Sequence, residues 1–173
     1  MNAFDWIKTI AMAMIVAIGI RTFLFTSYEV RGDSMVPSVH HGERLIVSKW
    51  SYLFSEPKRF DLIVFKANED EDYIKRVIGL PGDRIRFEDD VLYINGEPVD
   101  EPFLTDVKSL APYERYTEDF AVSEPVPEDH VFVLGDNRPR SLDSRKLGFI
   151  PQGDIVGKVH IRVWPLREAG LVR

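Results

Sequence analysis

The stretch "DLIVFKANEDEDYIKRVIGL", residues 61–80, holds two short runs rich in β-branched residues on either side of an acidic segment. Runs of this length and composition are typical of β-strands. The acidic "NEDED", residues 68–72, lacks the glycine and the spaced glutamate of a calcium loop, so we interpret it as a solvated hairpin tip. The stretch predicts a β-hairpin in a body that is mainly β.

Similar runs continue through the chain after residue 27. "VLYINGEPV", residues 91–99, contains Asn95-Gly96, which favours a two-residue type I′ turn because both positions need positive φ. We expect residues 28–83 and 130–173 to form a β-rich core, and the proline-rich residues 84–129 to form a small β insertion. The other runs, each bounded by turn residues, are "YEV", "RLIVSKW", "RIRF", "VLYI", "HVFVL" and "DIVGKVHIRVW".

Composition excludes several classes of function. The chain has 173 residues, 45% of them hydrophobic, which is enough for one domain with a core of its own. The net charge of -6 and the lack of a basic stripe argue against nucleic acid as a partner. The absence of cysteine excludes thiolate catalysis and Cys-ligated zinc. His40 and His41 show no metal-ligand pattern, so we predict neither a metal nor a cofactor.

The N-terminal stretch "WIKTIAMAMIVAIGIRTFLF", residues 6–25, is the most apolar part of the chain. As a helix it measures about 30 Å, the thickness of the hydrocarbon core of a bilayer. We predict that residues 1–27 form a retained, single-pass membrane anchor. A cleaved signal peptide is the alternative, although the following "TSYEV" offers no small-x-small cleavage site. Lys8 roughly balances Arg31 and Arg44, so flanking charge does not decide the orientation.

Ser34 lies in "YEVRGDSMVPSVHHGERLIV", residues 28–47, and has three interpretations. It is a loop residue, part of an Arg-Gly-Asp tripeptide in an anchored binding module, or a nucleophile. Lys75 lies in an apolar run and could serve as the base of such a serine if burial lowered its pKa from about 10.4 toward roughly 7 to 8. The polar "LGDNRPRSLDSRKLGFIP", residues 134–151, is either a solvated turn or a hydrogen-bonding cradle. Composition alone does not decide among these alternatives.

Four segments carry a resemblance to a known family. "GDSMVPSV", "RFDLIVF", "YIKRVIGLPGD" and "GDNRPRSLDSRKLG", in that order within residues 32–148, resemble the sequence boxes of bacterial type I signal peptidases. These are Ser/Lys proteases that remove signal peptides from exported proteins. The resemblance implies a mainly β catalytic domain outside the cell membrane and an N-terminus in the cytoplasm. It also implies signal peptides and the lipid bilayer as partners.

The resemblance also implies roles for individual residues. Ser34 is the expected nucleophile and Lys75 the expected general base, which acts through an acyl-enzyme. Ser141 is expected to help orient the lysine. The backbone N–H of Ser34 should be one oxyanion donor, and a backbone N–H near Gly32, or a water, the second, because some members carry a serine where this chain has Gly32. Four charged residues are expected to brace the site: Arg76, Asp136, Asp143 and Arg145.

Apolar residues beside the nucleophile and the lysine are candidates for substrate binding: Val30, Met35, Tyr73 and Ile74. The resemblance implies cleavage after small residues at the first and third positions before the cut. An extended peptide between these side chains would expose alternate residues to the enzyme, which makes selection at those two positions physically plausible. Endoplasmic-reticulum relatives carry histidine where Lys75 stands, which favours the prokaryotic type. Self-cleaving repressors need a DNA-binding domain that this chain lacks, whereas a mitochondrial inner-membrane relative stays an alternative.

Overall fold

The computed structural model describes residues 3–52, 54–110 and 115–172. Residues 1 and 2 of the predicted anchor and residues 111–114 of the predicted insertion lie outside them. The elements are α1 (Ala3–Leu24), β1 (Phe25–Glu29), β2 (Arg44–Ser48), β3 (Leu62–Lys66), β4 (Asp72–Gly79), β5 (Ile85–Glu88), β6 (Val91–Ile94), β7 (Glu97–Val99), α2 (Thr105–Leu110), β8 (Phe120–Ala121), β9 (His130–Leu134), α3 (Ser144–Leu147), β10 (Ile150–Pro151), β11 (Ile155–Trp164) and β12 (Gly170–Leu171). The prediction of a mainly β body is confirmed.

The larger sheet is antiparallel and has the strand order β1-β2-β11-β3-β4-β9-β10, with β12 paired to β11. Strands β3 and β4 form the hairpin predicted from residues 61–80, and Ile63 lies opposite Lys75. Strand β11 lies between β2 and β3, so late residues of the chain join its two early hairpins. The sheet thereby connects the segment before Ser34 with the strand that carries Lys75.

Strand β3 is covered on both faces, as its continuous apolar run requires. Leu62 and Val64 pack in a cluster with Val30 and Met35, on the side of the Ser34 loop. Ile63 and Phe65 pack in a second cluster with residues of β4 and β9. Because successive side chains point to opposite faces, a single strand contributes to both clusters. This burial fixes the position of β4, which pairs with β3.

The smaller sheet has the order β7-β6-β5-β8 and is built from residues between 85 and 121. Its β6–β7 hairpin turns at Asn95 and Gly96, whose φ angles are 54° and 89°. The predicted two-residue turn is therefore confirmed. Side chains of β5 and β6 pack in one cluster with Phe132 and Leu134 of β9. The smaller sheet thus rests on the strand that leads into the polar loop after residue 134.

The N-terminal segment forms helix α1, which runs into β1 without a break. Asp5, Lys8 and Arg21 interrupt its apolar sequence. Among the residues that the structure describes, no helix is both long and apolar enough to cross a membrane, so the predicted transmembrane span is not found.

Candidate active site

Ser34 lies in a loop that leaves and re-enters the larger sheet between β1 and β2. Two backbone hydrogen bonds close the base of the loop, from the Val30 N–H to the Glu43 carbonyl at 2.8 Å and from the Gly42 N–H to the Val30 carbonyl at 2.9 Å. The side chain of Met35, next to Ser34, is 2% exposed and packs in the core. Ser34 is therefore held on a closed, core-anchored loop.

Lys75 projects from β4 toward this loop. Its Nζ lies 2.9 Å from the Ser34 Oγ and donates a second hydrogen bond to the Ile74 carbonyl at 2.9 Å. The aromatic ring of Tyr73 lies 5.1 Å from the same nitrogen. The structure therefore brings together the two residues, 41 positions apart, that the sequence predicts as nucleophile and base.

The lysine is buried, and burial decides its protonation. Lys75 is 3% exposed. Desolvation of its ammonium form lowers the pKa of Lys75 to about 8, although the carboxylates of Asp143 and Asp136 act in the opposite direction. Near neutral pH most of this lysine is still protonated, but its neutral fraction is far larger than that of a free lysine. A neutral amine beside a serine hydroxyl can accept its proton.

Arg76 and Asp136 form a buried ion pair behind the lysine. Arg76 donates from Nε and Nη2 to the two oxygens of Asp136, at 2.9 and 2.7 Å. The same guanidinium donates to the Phe60 carbonyl at 2.9 Å and lies 3.8 Å from the ring centre of Phe103. A bidentate pair fixes both the distance and the relative orientation of the guanidinium and the carboxylate. Arg76 therefore ties β4 to the polar loop of residues 135–143.

Asp143 organises the other end of this loop. Its carboxylate accepts from the Gly135 N–H at 3.0 Å and from Arg145 Nε and Nη2, both at 2.8 Å. Burial alone would raise the pKa of Asp143, but the hydrogen bonds and charge of Arg145 hold it below its ordinary value. Arg145 also donates to the Arg138 carbonyl at 2.7 Å. An ionised Asp143 thus closes the loop between residues 135 and 143.

Ser141 lies inside this loop, close to Gly135. Its buried Oγ makes no hydrogen bond of ordinary geometry within the described chain, although the hydroxyl contributes to the low pKa of Asp143. The predicted contact of Ser141 with Lys75 is not among the hydrogen bonds formed. A Cβ at Gly135 would meet the Ser141 Oγ at 2.1 Å and the Ser34 carbonyl at 2.5 Å. Gly135 is required because these two segments approach so closely.

Asn137 connects the polar loop to the nucleophile. Its backbone N–H donates to the Ser34 carbonyl at 3.0 Å, and its Nδ2 donates to the Asp33 carbonyl at 3.0 Å. We predicted no role for Asn137 from the sequence, nor for its neighbour Arg138. Both belong to the segment "GDNRPRSLDSRKLG", but no spacing rule indicates which of its polar residues reaches a loop 104 positions away.

The two predicted oxyanion donors, the N–H groups of Ser34 and Gly32, differ in whether they already donate a hydrogen bond. The Ser34 N–H makes no hydrogen bond with another described residue, so it is available to a substrate. The Gly32 N–H donates to His41 Nδ1 at 3.1 Å, and Gly32 has φ +85°. Gly32 lines the cleft beside Ser34, but its N–H already has a hydrogen-bond partner. Its role as a second donor stays a prediction.

A cleft of about 360 Å³ runs past Ser34 and Lys75. The side chains predicted to bind substrate all line it: Val30, Met35, Tyr73 and Ile74. At one end Tyr28 donates to Asp72 at 2.6 Å, which joins the two walls of the cleft. Arg140 and Leu142 contribute from the polar loop. The cleft can hold an extended peptide whose backbone passes the Ser34 hydroxyl.

The sequence and fold match known proteins. The family model for "Signal peptidase, peptidase S26" matches residues 3–164. Signal peptidase I of Bacillus caldolyticus is 49% identical over 162 residues, covering 91% of this chain and 89% of that protein. Signal peptidase IB of Staphylococcus aureus is 38% identical over 173 residues, covering 95% and 91%.

A solved structure is also similar. The crystal structure of a signal peptidase I from Enterococcus faecalis shares 43% identity and superimposes with a TM-score of 0.56, covering 60% of this chain and 97% of that chain. The identities to these relatives and the extent of the family match establish both fold and activity. The chain belongs to the signal peptidase family, peptidase S26, as a type I signal peptidase that removes signal peptides.

Proposed function

We propose that this signal peptidase cleaves preproteins with a Ser34/Lys75 dyad through an acyl-enzyme intermediate. The observation that carries the proposal is the 2.9 Å hydrogen bond between Lys75 Nζ and Ser34 Oγ in a buried setting. Burial supplies the neutral amine, and the loop supplies a hydroxyl within its reach. The site needs no metal or cofactor for this chemistry.

The reaction proceeds in two halves. Neutral Lys75 takes the proton of Ser34 as the Oγ attacks the scissile carbonyl, and the resulting ammonium then protonates the departing amine. The signal peptide remains bound to Ser34 as an ester. Lys75, again neutral, removes a proton from water, which attacks the ester and releases the signal peptide as an acid. The proton returns to the Ser34 Oγ. The free Ser34 N–H stabilises the oxyanion in both halves.

The braced loop supports the dyad without entering the chemistry. Arg76 holds Asp136, and Arg145 holds Asp143, so both carboxylates are fixed by charge partners. The negative charges of Asp143 and Asp136 favour the ammonium form of Lys75, so they limit how far burial lowers its pKa. Ser141 is proposed to orient Lys75 when the substrate seals the site from water.

Val30, Met35, Tyr73 and Ile74 are proposed to bind the end of the signal peptide. The cleft runs between the residues after β1 and the start of β4, and its walls are apolar at these positions. A peptide extended along it turns alternate side chains toward the enzyme. Small residues at the first and third positions before the cut fit such walls, whereas a bulky residue clashes with Met35 or Ile74.

The N-terminal segment is proposed to attach the enzyme to the cell membrane, with the N-terminus in the cytoplasm and the β body outside. Apolar side chains of α1 are exposed along its length, including Trp6, Ile10 and Ile15, each more than half exposed. A helix that shows apolar residues on every side needs an apolar environment around it. The cleft would then meet signal peptides on the side of the bilayer to which preproteins are exported.

The test of the dyad is cleavage of a model preprotein by the full chain, followed by N-terminal sequencing of the product. Ser34→Ala and Lys75→Ala should each reduce cleavage by more than roughly 1,000-fold. Ser123→Ala and Lys66→Ala, at exposed positions outside the cleft, are matched controls and should retain full activity. Substantial cleavage by Lys75→Ala would contradict the assignment. A penem that acylates serines should label the parent and not Ser34→Ala, whereas an Arg-Gly-Asp binding module would not react at all.

A further inference from the structure

The connection between β7 and β8 in the smaller sheet reaches the polar loop of the active site. Its described residues, 100–110 and 115–119, carry Glu101, Tyr116 and Thr117, all buried. None of these three residues takes part in the proposed Ser34/Lys75 chemistry. Their partners are in the loop of residues 135–143, so the smaller sheet contacts the site through side chains.

The first contact is a buried ion pair. Arg138 and Glu101 are paired, and their side chains are 0% and 2% exposed. Arg138 also donates from Nη1 to the Thr117 hydroxyl at 3.1 Å and from Nε to the Gly135 carbonyl at 3.0 Å. Removing two charges from water offsets most of their attraction, so such a pair contributes little net stability. Its effect is to fix where Arg138 lies.

The second contact lies on the other side of Asn137. The Tyr116 hydroxyl donates to the carbonyl of Asp136 at 2.9 Å in a buried position. Asp136 and Arg138 are the neighbours of Asn137 in the chain. The connection therefore holds the residue before Asn137 through Tyr116 and the residue after it through Glu101.

Asn137 transmits this constraint to the nucleophile. Its Nδ2 donates to the Asp33 carbonyl at 3.0 Å. That carbonyl and the Ser34 N–H belong to one peptide unit, which is planar, so the direction of one fixes the direction of the other. A hydrogen bond to the carbonyl also polarises the N–H of the same peptide. The Val36 N–H also donates to this carbonyl, at 3.2 Å from within the loop. Asn137 is the donor that reaches it from outside the loop, so its position contributes to the direction of the Ser34 N–H.

We infer that Glu101 and Tyr116 are positioning residues that aim the Ser34 N–H at the developing oxyanion through Asn137. The inference rests on the proposed function, because it assigns the Ser34 N–H to the reaction. It gives the connection between β7 and β8 a part in catalysis, although none of its described residues lines the cleft. A displacement of about 1 Å at a reacting group can reduce the rate by up to roughly 100-fold.

The test measures acylation of Ser34 by a penem in Tyr116→Phe and Glu101→Gln variants of the full chain. We expect the second-order rate constant to fall roughly 3- to 10-fold in Tyr116→Phe and at least tenfold in Glu101→Gln. The kcat for a model preprotein should fall in parallel with an unchanged KM, because the walls of the cleft are untouched. Tyr93→Phe and Glu97→Gln, which make the same chemical changes in strands of the smaller sheet, should match the parent.

A merely structural role has a different signature. Loss of folded protein lowers the amplitude of labelling and the melting temperature, but it leaves the rate constant of the folded fraction unchanged. Parent-like rate constants in both variants would therefore overturn the inference and leave the Ser34/Lys75 proposal standing. A parent chain that is not acylated at all would refute both. Tyr116→Phe, which removes one hydroxyl, provides a result even if Glu101→Gln does not fold.

Discussion

Lys75 is the residue whose surroundings determine how the site responds to pH. Its pKa is lowered to about 8 by burial, and only the neutral form can act as base. Cleavage should therefore increase as pH rises through about 8 and level off above it. The measurement is kcat/KM for a short peptide substrate between pH 6 and pH 10. An acid limb near pH 10, where free lysine titrates, would contradict the burial of Lys75.

The low pKa of Lys75 also means that this residue lowers the free energy of unfolding. Its pKa is lower in the folded than in the unfolded chain, so the cost is complete below pH 8 and disappears as pH rises toward 10.5. At pH 7 this cost is about 3 kcal/mol, whereas the loss of the two hydrogen bonds of Lys75 costs about 2 kcal/mol. Lys75→Met should thus raise the free energy of unfolding by about 1 kcal/mol at pH 7, and should not raise it at pH 10. Urea unfolding measures this, with Lys66→Met as an exposed control.

Gly135 sets how closely the polar loop approaches Ser34. Alanine there would meet the Ser141 Oγ at 2.1 Å and the Ser34 carbonyl at 2.5 Å. The backbone of one loop has to move, because the carbonyl is not a flexible group. Gly135→Ala should reduce kcat at least tenfold. Gly153→Ala, where a Cβ meets nothing within 4 Å, should leave kcat unchanged, and equal kcat values for both variants would refute the close approach.

Sequence reasoning selected Ser34 and Lys75 because their residue types and segments matched a family that pairs them. It could not select Asn137, whose role depends on a hydrogen bond across 104 positions. A backbone N–H near Gly32, or a water, was expected as the second oxyanion donor, and this stays a prediction because the Gly32 N–H donates to His41. Residue type predicts what a side chain can do, but three-dimensional contacts decide which backbone groups are free to do it.

At the scale of elements, the β6–β7 hairpin offers a direct test of local backbone preference. Gly96 has φ +89°, a region where a side chain costs about 1 kcal/mol. Gly96→Ala should lower the melting temperature by roughly 3 °C without changing cleavage, because neither residue of the turn lines the cleft. Gly170→Ala, at a glycine with open space and no positive φ, is the control. An unchanged melting temperature in Gly96→Ala would contradict the turn.

The elements that were predicted correctly are those with local causes. The β3–β4 and β6–β7 hairpins follow from β-branched runs and from turn residues that are neighbours in sequence. The insertion of β11 between β2 and β3 has no local signature, because antiparallel pairing joins strands of any sequence separation. For the same reason the contact of the β7–β8 connection with the loop of residues 135–143 could not be foreseen from its proline-rich composition.

At the scale of the whole molecule, the proposed membrane attachment depends on the exposed apolar side chains of α1. Ile15→Asp adds a charge in the middle of this helix, which should weaken binding of the full chain to phosphatidylglycerol-containing vesicles roughly 100-fold. Leu110→Asp makes the matched change at an exposed apolar residue of the body and should bind like the parent. Vesicle flotation measures both. Equal flotation of the two variants would refute attachment through α1.

The place of β11 in the larger sheet determines when the enzyme becomes active during its own synthesis. The hairpin β1–β2 flanks the Ser34 loop and β3–β4 carries Lys75, but these two hairpins pair only through residues 155–164. A ribosome adds residues at roughly 5 to 20 per second, so both catalytic side chains exist for several seconds before the strand that joins them. We expect a partly synthesised chain to have no peptidase activity. Peptidase activity should therefore appear only after residues 155–164 have left the ribosome, so a shorter growing chain should cleave neither itself nor its neighbours.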